Sequence, residues 1–305
     1  MELSNASYIK LGRGGEWEAE SIASGKLRFG WREQSISDIN GGNWQVIEQQ
    51  LREAPWLPSA SQKTRAINGL KLICLSTASD IWITFHQAKL WWARLSDNPV
   101  AEDPISKFRT TLDPWSDKNL QGKLLVASEL PGKLAQLQAY RWTVCTVQHK
   151  DILQRVIEGV SSPKAQAIAH QRTLLAAQLA EAIKELHWKD FEILVDLVFR
   201  ASGWIRVGVL GEQAKAYDLE LREPITDDRY VVQVKSRAGL QELAEAAAQF
   251  SPDDYRRVFL VVHTPDAALA QAEDIPDHVE LLPPKDLASR AIDAGLTSWI
   301  EEKLA

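Results

Sequence analysis

The chain has 305 residues, 45% of them apolar, and a formal net charge of −6, which suits a globular protein of two ordinary domains rather than a disordered chain. No window approaches the roughly 18 uninterrupted apolar residues of a membrane span, and the first residues lack the basic-then-apolar pattern of a signal peptide, so a cytoplasmic protein without a membrane partner is expected. Cys74 and Cys145 are the only cysteines and have neither CxxC spacing nor the density of a disulfide scaffold, which argues against zinc ribbons and secreted folds.

Charge and tryptophan are unevenly spread. Before Lys150 and including it there are 18 basic and 15 acidic residues, and after it 17 basic and 26 acidic. Nine of the twelve tryptophans (Trp17, Trp31, Trp44, Trp56, Trp82, Trp91, Trp92, Trp115 and Trp142) fall in the first half. Two domains of different character are expected, at 1–160 and 161–305. A mildly basic half suits a polyanion, and an acidic half suits carboxylates that collect a divalent metal, although charge also varies for solubility alone.

In chain order, residues 8–17 set glycines beside basic and aromatic residues, as a loop approaching a phosphate backbone or as a plain hairpin. A helix is expected near 37–54. Short apolar runs at 70–75, 80–85 and 89–95 read as strands, the last two forming a hairpin across His86-Gln87-Ala88. Further strands are expected at 122–126 and 140–147, and a helix at 151–158. This half reads as β-rich. Trp91 and Trp92 are adjacent on one strand and must face opposite sides, so in a one-sided sheet only one of them is core.

After Ser161-Ser162-Pro163, residues 164–187 run without Gly or Pro as a long helix. A second helix at 189–201 places Phe191, Leu194, Val195 and Val198 at helical spacing and stops at Ser202-Gly203. Strands follow at 217–221 and 230–235 around the turn Pro224-Ile225-Thr226-Asp227-Asp228. Then come a helix at 240–249, an apolar strand at 258–262, and a strand and helix from His278 onward. Alternating helices and buried strands argue an α/β sheet core, hence α+β overall.

Hydrolysing a phosphodiester requires an attacking water, a cation that polarises the phosphate and acidifies that water, and a charge that stabilises the developing anion. Hard cations take carboxylate and other oxygen ligands. Gln233 and Lys235 sit at i and i+2 of one strand and share a face. If strands 217–221 and 230–235 pair, Asp218 can face them across the ladder, with Glu192 approaching from the preceding helix. Glu220 shares Asp218's alternation and reads as a surface charge. Spacing of this kind also arises on a solvated strand face; the ordered set of Phe-Glu helix, glycine stop, Asp strand, Gln-x-Lys strand and further buried strand favours a site. No histidine pair has metal-ligand spacing, and Gly12-Arg13-Gly14-Gly15 lacks the Lys-Ser/Thr of a nucleotide-triphosphate loop.

The run Asp190-Phe191-Glu192, then Ser202-Gly203-Trp204, Asp218 and Val232-Gln233-Val234-Lys235-Ser236, over about 185–300, resembles the Mrr-like branch of the PD-(D/E)XK restriction endonucleases, in which glutamine stands where the second carboxylate usually does. The resemblance implies Asp218 as principal metal ligand, Gln233 as a ligand through its amide oxygen or a water, Glu192 as a helix-borne carboxylate aiding metal or water, and Lys235 as the residue that orients water and stabilises charge. It implies Mg²⁺, with Mn²⁺ as substitute, and DNA as substrate. Residues 210–217 depart from it in lacking a Gly-Asp-Gly-Gly stretch. The first half, through 81–85, 90–92 and Trp115-Ser116, resembles the PUA-like modules (the EVE, YTH, ASCH and SRA group), which implies a reader of a base, including a modified one such as a methylated or hydroxymethylated base. Trp31, Trp82, Trp92 and Trp115 are the pocket candidates, against the alternative that most tryptophans are core. The combined expectation is a modification-dependent restriction endonuclease, as a homodimer because one site cuts one strand. The alternatives are a nuclease effector released by a small molecule or nucleotide sensed in the first half, and a DNA-binding protein with a decayed site.

Overall fold

The computed structural model describes residues 3–207 and 218–305, and the chain divides into two compact units, 1–163 and 164–305. Both are mixed α and β. The part of the expected Asp218 strand that lies at Tyr217, and the glycine-poor stretch at 210–217, fall outside the described residues.

In the first unit β1 (Ala6–Ile9) leads through α1 (Glu18–Ser24) to β2 (Lys26–Phe29), then α2 (Ile36–Asn40), α3 (Trp44–Glu53) and α4 (Ala60–Cys74). β3 (Ile81–His86), β4 (Lys89–Arg94), β5 (Ala101–Glu102), β6 (Lys107–Thr110), the short α5 (Gly132–Ala135), β7 (Val144–Thr146) and α6 (Lys150–Glu158) complete it. One sheet runs β4-β3-β1-β7, with β1 parallel to β3, and a second runs β2-β6-β5. The expected hairpin forms: His86 pairs with Lys89, and Gln87 and Ala88 both take positive φ, at 50° and 56°, as a two-residue turn of the primed kind demands.

Other expectations for this unit are corrected. Residues 70–75 are the last turn of α4 and the residue after it, not a strand. Ser59 and Gln62 close a capping box at its start, and buried Ala66, Ile67, Leu70 and Ile73 recur at helical period, which outweighs a short β-prone run. The helix expected at 37–54 is two helices, parted where Gly42 takes φ +70°. Residues 122–126 make single bridges only, and the strand expected at 140–147 shrinks to three residues. The unit is therefore not β-rich in the sense expected, since six helices pack around its sheets.

The four-stranded sheet is buried on both faces. Trp82 faces one core with Ile9 and Ala93, whereas Ile81, Ile83 and Tyr8 face the other. That two-sidedness explains Trp91 and Trp92, which pack against opposite cores. Burial pushes the Cys74 thiol up to about 12 and Cys145 up to about 11, so both stay protonated at neutral pH. On β2 the buried Arg28 is clamped by Asp103, both Nη atoms donating at 2.8 Å, and by Glu20. Lys26 Nζ lies 2.9 Å from the same Asp103.

The second unit opens with α7 (Pro163–Glu185) and α8 (Trp188–Ala201), followed by β8 (Ile205–Arg206), β9 (Leu219–Arg222), β10 (Arg229–Ala238), α9 (Leu240–Gln249), β11 (Arg257–Pro265), α10 (Ala267–Ala270), β12 (Val279–Leu282), α11 (Pro284–Asp293) and α12 (Thr297–Leu304). The sheet order is β12-β11-β10-β9-β8, with β10, β11 and β12 parallel and β8 and β9 antiparallel. Parallel neighbours need a crossover, which α9 supplies between β10 and β11. Helices on both faces make the central strands continuous apolar runs. Val232, Phe259 and Val261 meet α8 and α11 on one face, and Val231, Val258, Leu260 and Val262 meet α9 on the other. Each fully buried aliphatic side chain contributes about 1.5–3 kcal/mol relative to exposure.

Candidate active site

α8 is seated by Phe191, Leu194, Val195 and Val198, all buried in the sheet-facing core, and the Phe191 ring meets His263 of β11 edge-on at 4.9 Å. This seating turns Glu192 outward. One helical turn on, Asp196 follows on the same side, as i and i+4 must.

Opposite α8, β9 and β10 pair so that Leu219 meets Val232. One residue further, the Asp218 amide donates to Val232 O at 3.1 Å, and Asp218 Oδ2 accepts from the Val234 amide at 2.6 Å. The carboxylate is thereby clipped to the backbone between Gln233 and Lys235. Regular alternation would have sent it to the α9 face with Glu220; the clip draws it to the Val234 side instead. A cleft of about 340 Å³ opens there, lined by Glu192, Asp196, Arg200, Arg206, Asp218 and Val234 among others. The Glu192 carboxyl is held above its ordinary range, first by loss of solvent and then by the charge of Asp218, with Lys189 opposing. A carboxyl that loses solvent beside a second carboxylate is a feature of sites that take a cation or share a proton.

Gln233 and Lys235 lie on the other face of β10. Gln233 is buried, and its Nε2 donates to Gln249 Oε1 of α9 at 3.2 Å. Glu242 of α9 is held low chiefly by the Gly239 amide, and the Lys235 charge adds to this. The four predicted residues thus form two pairs, Glu192 with Asp218 in the α8-side cleft and Gln233 with Lys235 toward α9, joined at the Asp218 clip. Glu220 is not the surface charge expected: it is buried and paired with Arg229.

Sequence reasoning missed three residues of the cleft. Asp196 ion-pairs with Arg200 at 2.8 Å and lies 3.7 Å from Arg206 of β8. Its helical spacing from Glu192 and to Arg200 was a usable signal, whereas Arg206 carried none. Two guanidiniums beside a carboxylate pair place fixed positive charge where a phosphate would enter.

Of the four tryptophans expected to form a base pocket, Trp31, Trp82 and Trp115 belong to one core cluster and Trp92 packs on another. Trp82 and Trp115 are core, with Nε1 donating to Ser76 Oγ at 2.8 Å and to Lys26 O at 3.1 Å. Trp92 packs on the opposite core from Trp82 and donates to Lys118 O. Trp31, at φ +59°, packs against Phe29.

Sheet, flanking helices and an acid cleft at the Asp218 strand are consistent with a restriction-endonuclease-like fold. In agreement, residues 183–290 match the Mrr_cat restriction endonuclease family, a span that holds all five strands and Glu192, Asp218, Gln233 and Lys235. Among solved structures the chain matches the DNA modification-dependent restriction endonuclease AspBHI at 12% identity and TM-score 0.33, over 73% of this chain and 68% of that one, a likeness too slight to carry residues across. No curated protein matches. Restriction endonuclease domains of this kind generally use divalent metal ions.

Proposed function

We propose that the chain is a metal-dependent DNA endonuclease of modification-dependent restriction, acting in antiviral defence in the cytoplasm, with a PUA-like module at 1–160 that reads a base and the domain at 161–305 that cuts. The observation that carries the reading is the Asp218 carboxylate clipped between Gln233 and Lys235 and coupled to Glu192. The Glu192 and Asp218 pair fits a hard divalent cation, since two carboxylates repel each other until a cation joins them. Asp218 and Glu192 would hold Mg²⁺, or Mn²⁺ in its place, and Gln233, which faces α9 and bonds Gln249, would join them only by turning its amide toward the Asp218 side of β10. Among the described residues no three His, Cys, Asp or Glu side chains are grouped to hold a metal, so waters and substrate phosphate oxygens would complete the shell around the two carboxylates. When bound, the ion polarises the phosphate and acidifies a water.

The chain's own groups do the rest. Asp218 is oriented by the Val234 amide, so little rearrangement is asked of it. Lys235 carries three donors on a flexible stem; it orients the attacking water and stabilises the charge that develops on phosphate. Arg200 and Arg206 attract the strand's phosphates to the cleft. A homodimer would bring two such sites to the two strands of a duplex. The test is incubation with Mg²⁺ and plasmids of unmodified, methylated and hydroxymethylated cytosine, with Lys235→Ala alongside. Cleavage of modified plasmid by the wild type alone is expected; cleavage that persists in Lys235→Ala sinks the site, and equal cleavage of all plasmids removes the base reader.

A further inference from the structure

A cleft of about 440 Å³ opens in the first unit, between the loop after β1 and the segment before β7, walled by Lys10, Arg13, Trp17, Arg141, Trp142 and neighbouring glycines. Its size falls in the range of about 300–1,000 Å³ typical of small-ligand sites. The segment at 8–17, ambiguous as sequence, supplies half of it. Gly12 takes φ +84°, and a Cβ there would stand 2.9 Å from Trp17 Cδ2. Only glycine lets the loop lie against that indole.

On the other wall, Trp142 Nε1 is buried without an acceptor. Trp31 Nε1, which does not line this cleft, is likewise unpaired, whereas the indole donors of Trp56, Trp82, Trp91, Trp92 and Trp115 are satisfied. A buried donor left unpaired is costly, and an acceptor on a bound ligand would satisfy it. Arg13 and Arg141 are exposed and form no ion pair among the described residues, and Glu16, which also lines the cleft, accepts from the Arg13 backbone amide at 3.0 Å. Bare phosphate would leave two indoles unused, and an apolar ligand would leave three cations unused. A planar ring bearing an anion uses both.

We infer that this cleft binds a nucleotide, with the base on the Trp17 indole, an acceptor of the base toward Trp142 Nε1, and the phosphate among Lys10, Arg13 and Arg141. The inference deepens the base-reading part of the proposed function and rests on it. Its tryptophans are not those expected from the sequence, Trp31, Trp82, Trp92 and Trp115, none of which lines this cleft.

The test uses the full chain in EDTA, so that no DNA is cut. Binding is titrated against labelled duplexes with unmodified, methylated or hydroxymethylated cytosine and, separately, against the corresponding deoxynucleoside monophosphates. Two variants are compared with the wild type: Arg13→Glu/Arg141→Glu, confined to exposed side chains, and Trp142→Phe, which keeps an aromatic ring and removes the donor. Circular dichroism checks that both fold. A loss of tenfold or more is expected from the charge reversal and of threefold or more from Trp142→Phe. Loss on the duplex arm identifies a nucleotide presented by DNA, and loss on the monophosphate arm a free nucleotide; either supports the site. Wild-type protein that binds neither probe overturns it, and so does a loss below threefold in the charge-reversal variant. Wild-type selectivity among plasmids that survives in both variants leaves the base reader standing and this cleft wrong. Absence of selectivity together with lost nucleotide binding does the reverse.

Discussion

Two acidic centres, one in each unit, are treated in opposite ways. Asp103 in the first unit receives both Nη atoms of Arg28, Lys26 at 2.9 Å and the amides of Ile105 and Ser106 at 3.0 and 3.2 Å; with Arg28 foremost, these hold its carboxyl well below the usual range. Glu192 and Asp218 in the second unit face each other across a cleft, and the Glu192 carboxyl is pushed up. A fully neutralised carboxylate holds a fold together. A carboxylate pair left in mutual repulsion keeps its ligand capacity for something that arrives later.

The comparison is broken most severely at Asp218. Asp218→Asn keeps the acceptor for the Val234 amide and removes the charge, so cleavage of modified plasmid should fall by about 10²–10³-fold with the unfolding midpoint nearly unchanged. A protein that unfolds instead would make Asp218 structural, like Asp103. Next in size, Asp103→Ala leaves the buried Arg28 short of its main partner and should cost about 3 kcal/mol in chemical denaturation, with the rate per folded molecule unaltered. A loss under about 1 kcal/mol would show that Glu20 alone suffices.

The two centres were not equally legible in the sequence. Gln233-Val234-Lys235 could be placed because a run of valines between polar residues specifies a buried strand, and the glycine stop at Ser202-Gly203 fixes where α8 ends. The face each residue takes was not legible, since it depends on α9 packing against Gln233 and on the Asp218 clip, both long-range. The first unit hid more. Residues 70–75 have strand composition inside a helix whose start is set eleven residues earlier, at Ser59. Arg28 and Asp103 are 75 positions apart, and nothing local marks either. The Trp17 and Trp142 cleft needs Gly12's backbone beside a segment about 130 residues away, so counting tryptophans picked core ones.

The smallest effect is the sharpest in sign. Glu192, whose carboxyl is raised in the folded state, binds a proton more readily folded than unfolded, so its contribution is most favourable below the ordinary glutamate value of about 4.3 and is lost as pH rises through the raised folded value. Asp103 runs the other way: its contribution is present above the ordinary aspartate value of about 3.9 and is lost as pH falls toward its depressed folded value. Glu192→Gln removes the first dependence only. Because Glu192 is exposed enough for solvent to screen its repulsion from Asp218, the gain at neutral pH should be no more than a few tenths of a kcal/mol. It should vanish toward pH 4, while cleavage falls. Denaturation curves of this variant across pH 4–8 read the sign directly. A variant less stable than wild type at pH 7 would mean that Glu192 is already paired, and the cleft would then resemble the Asp103 centre rather than oppose it.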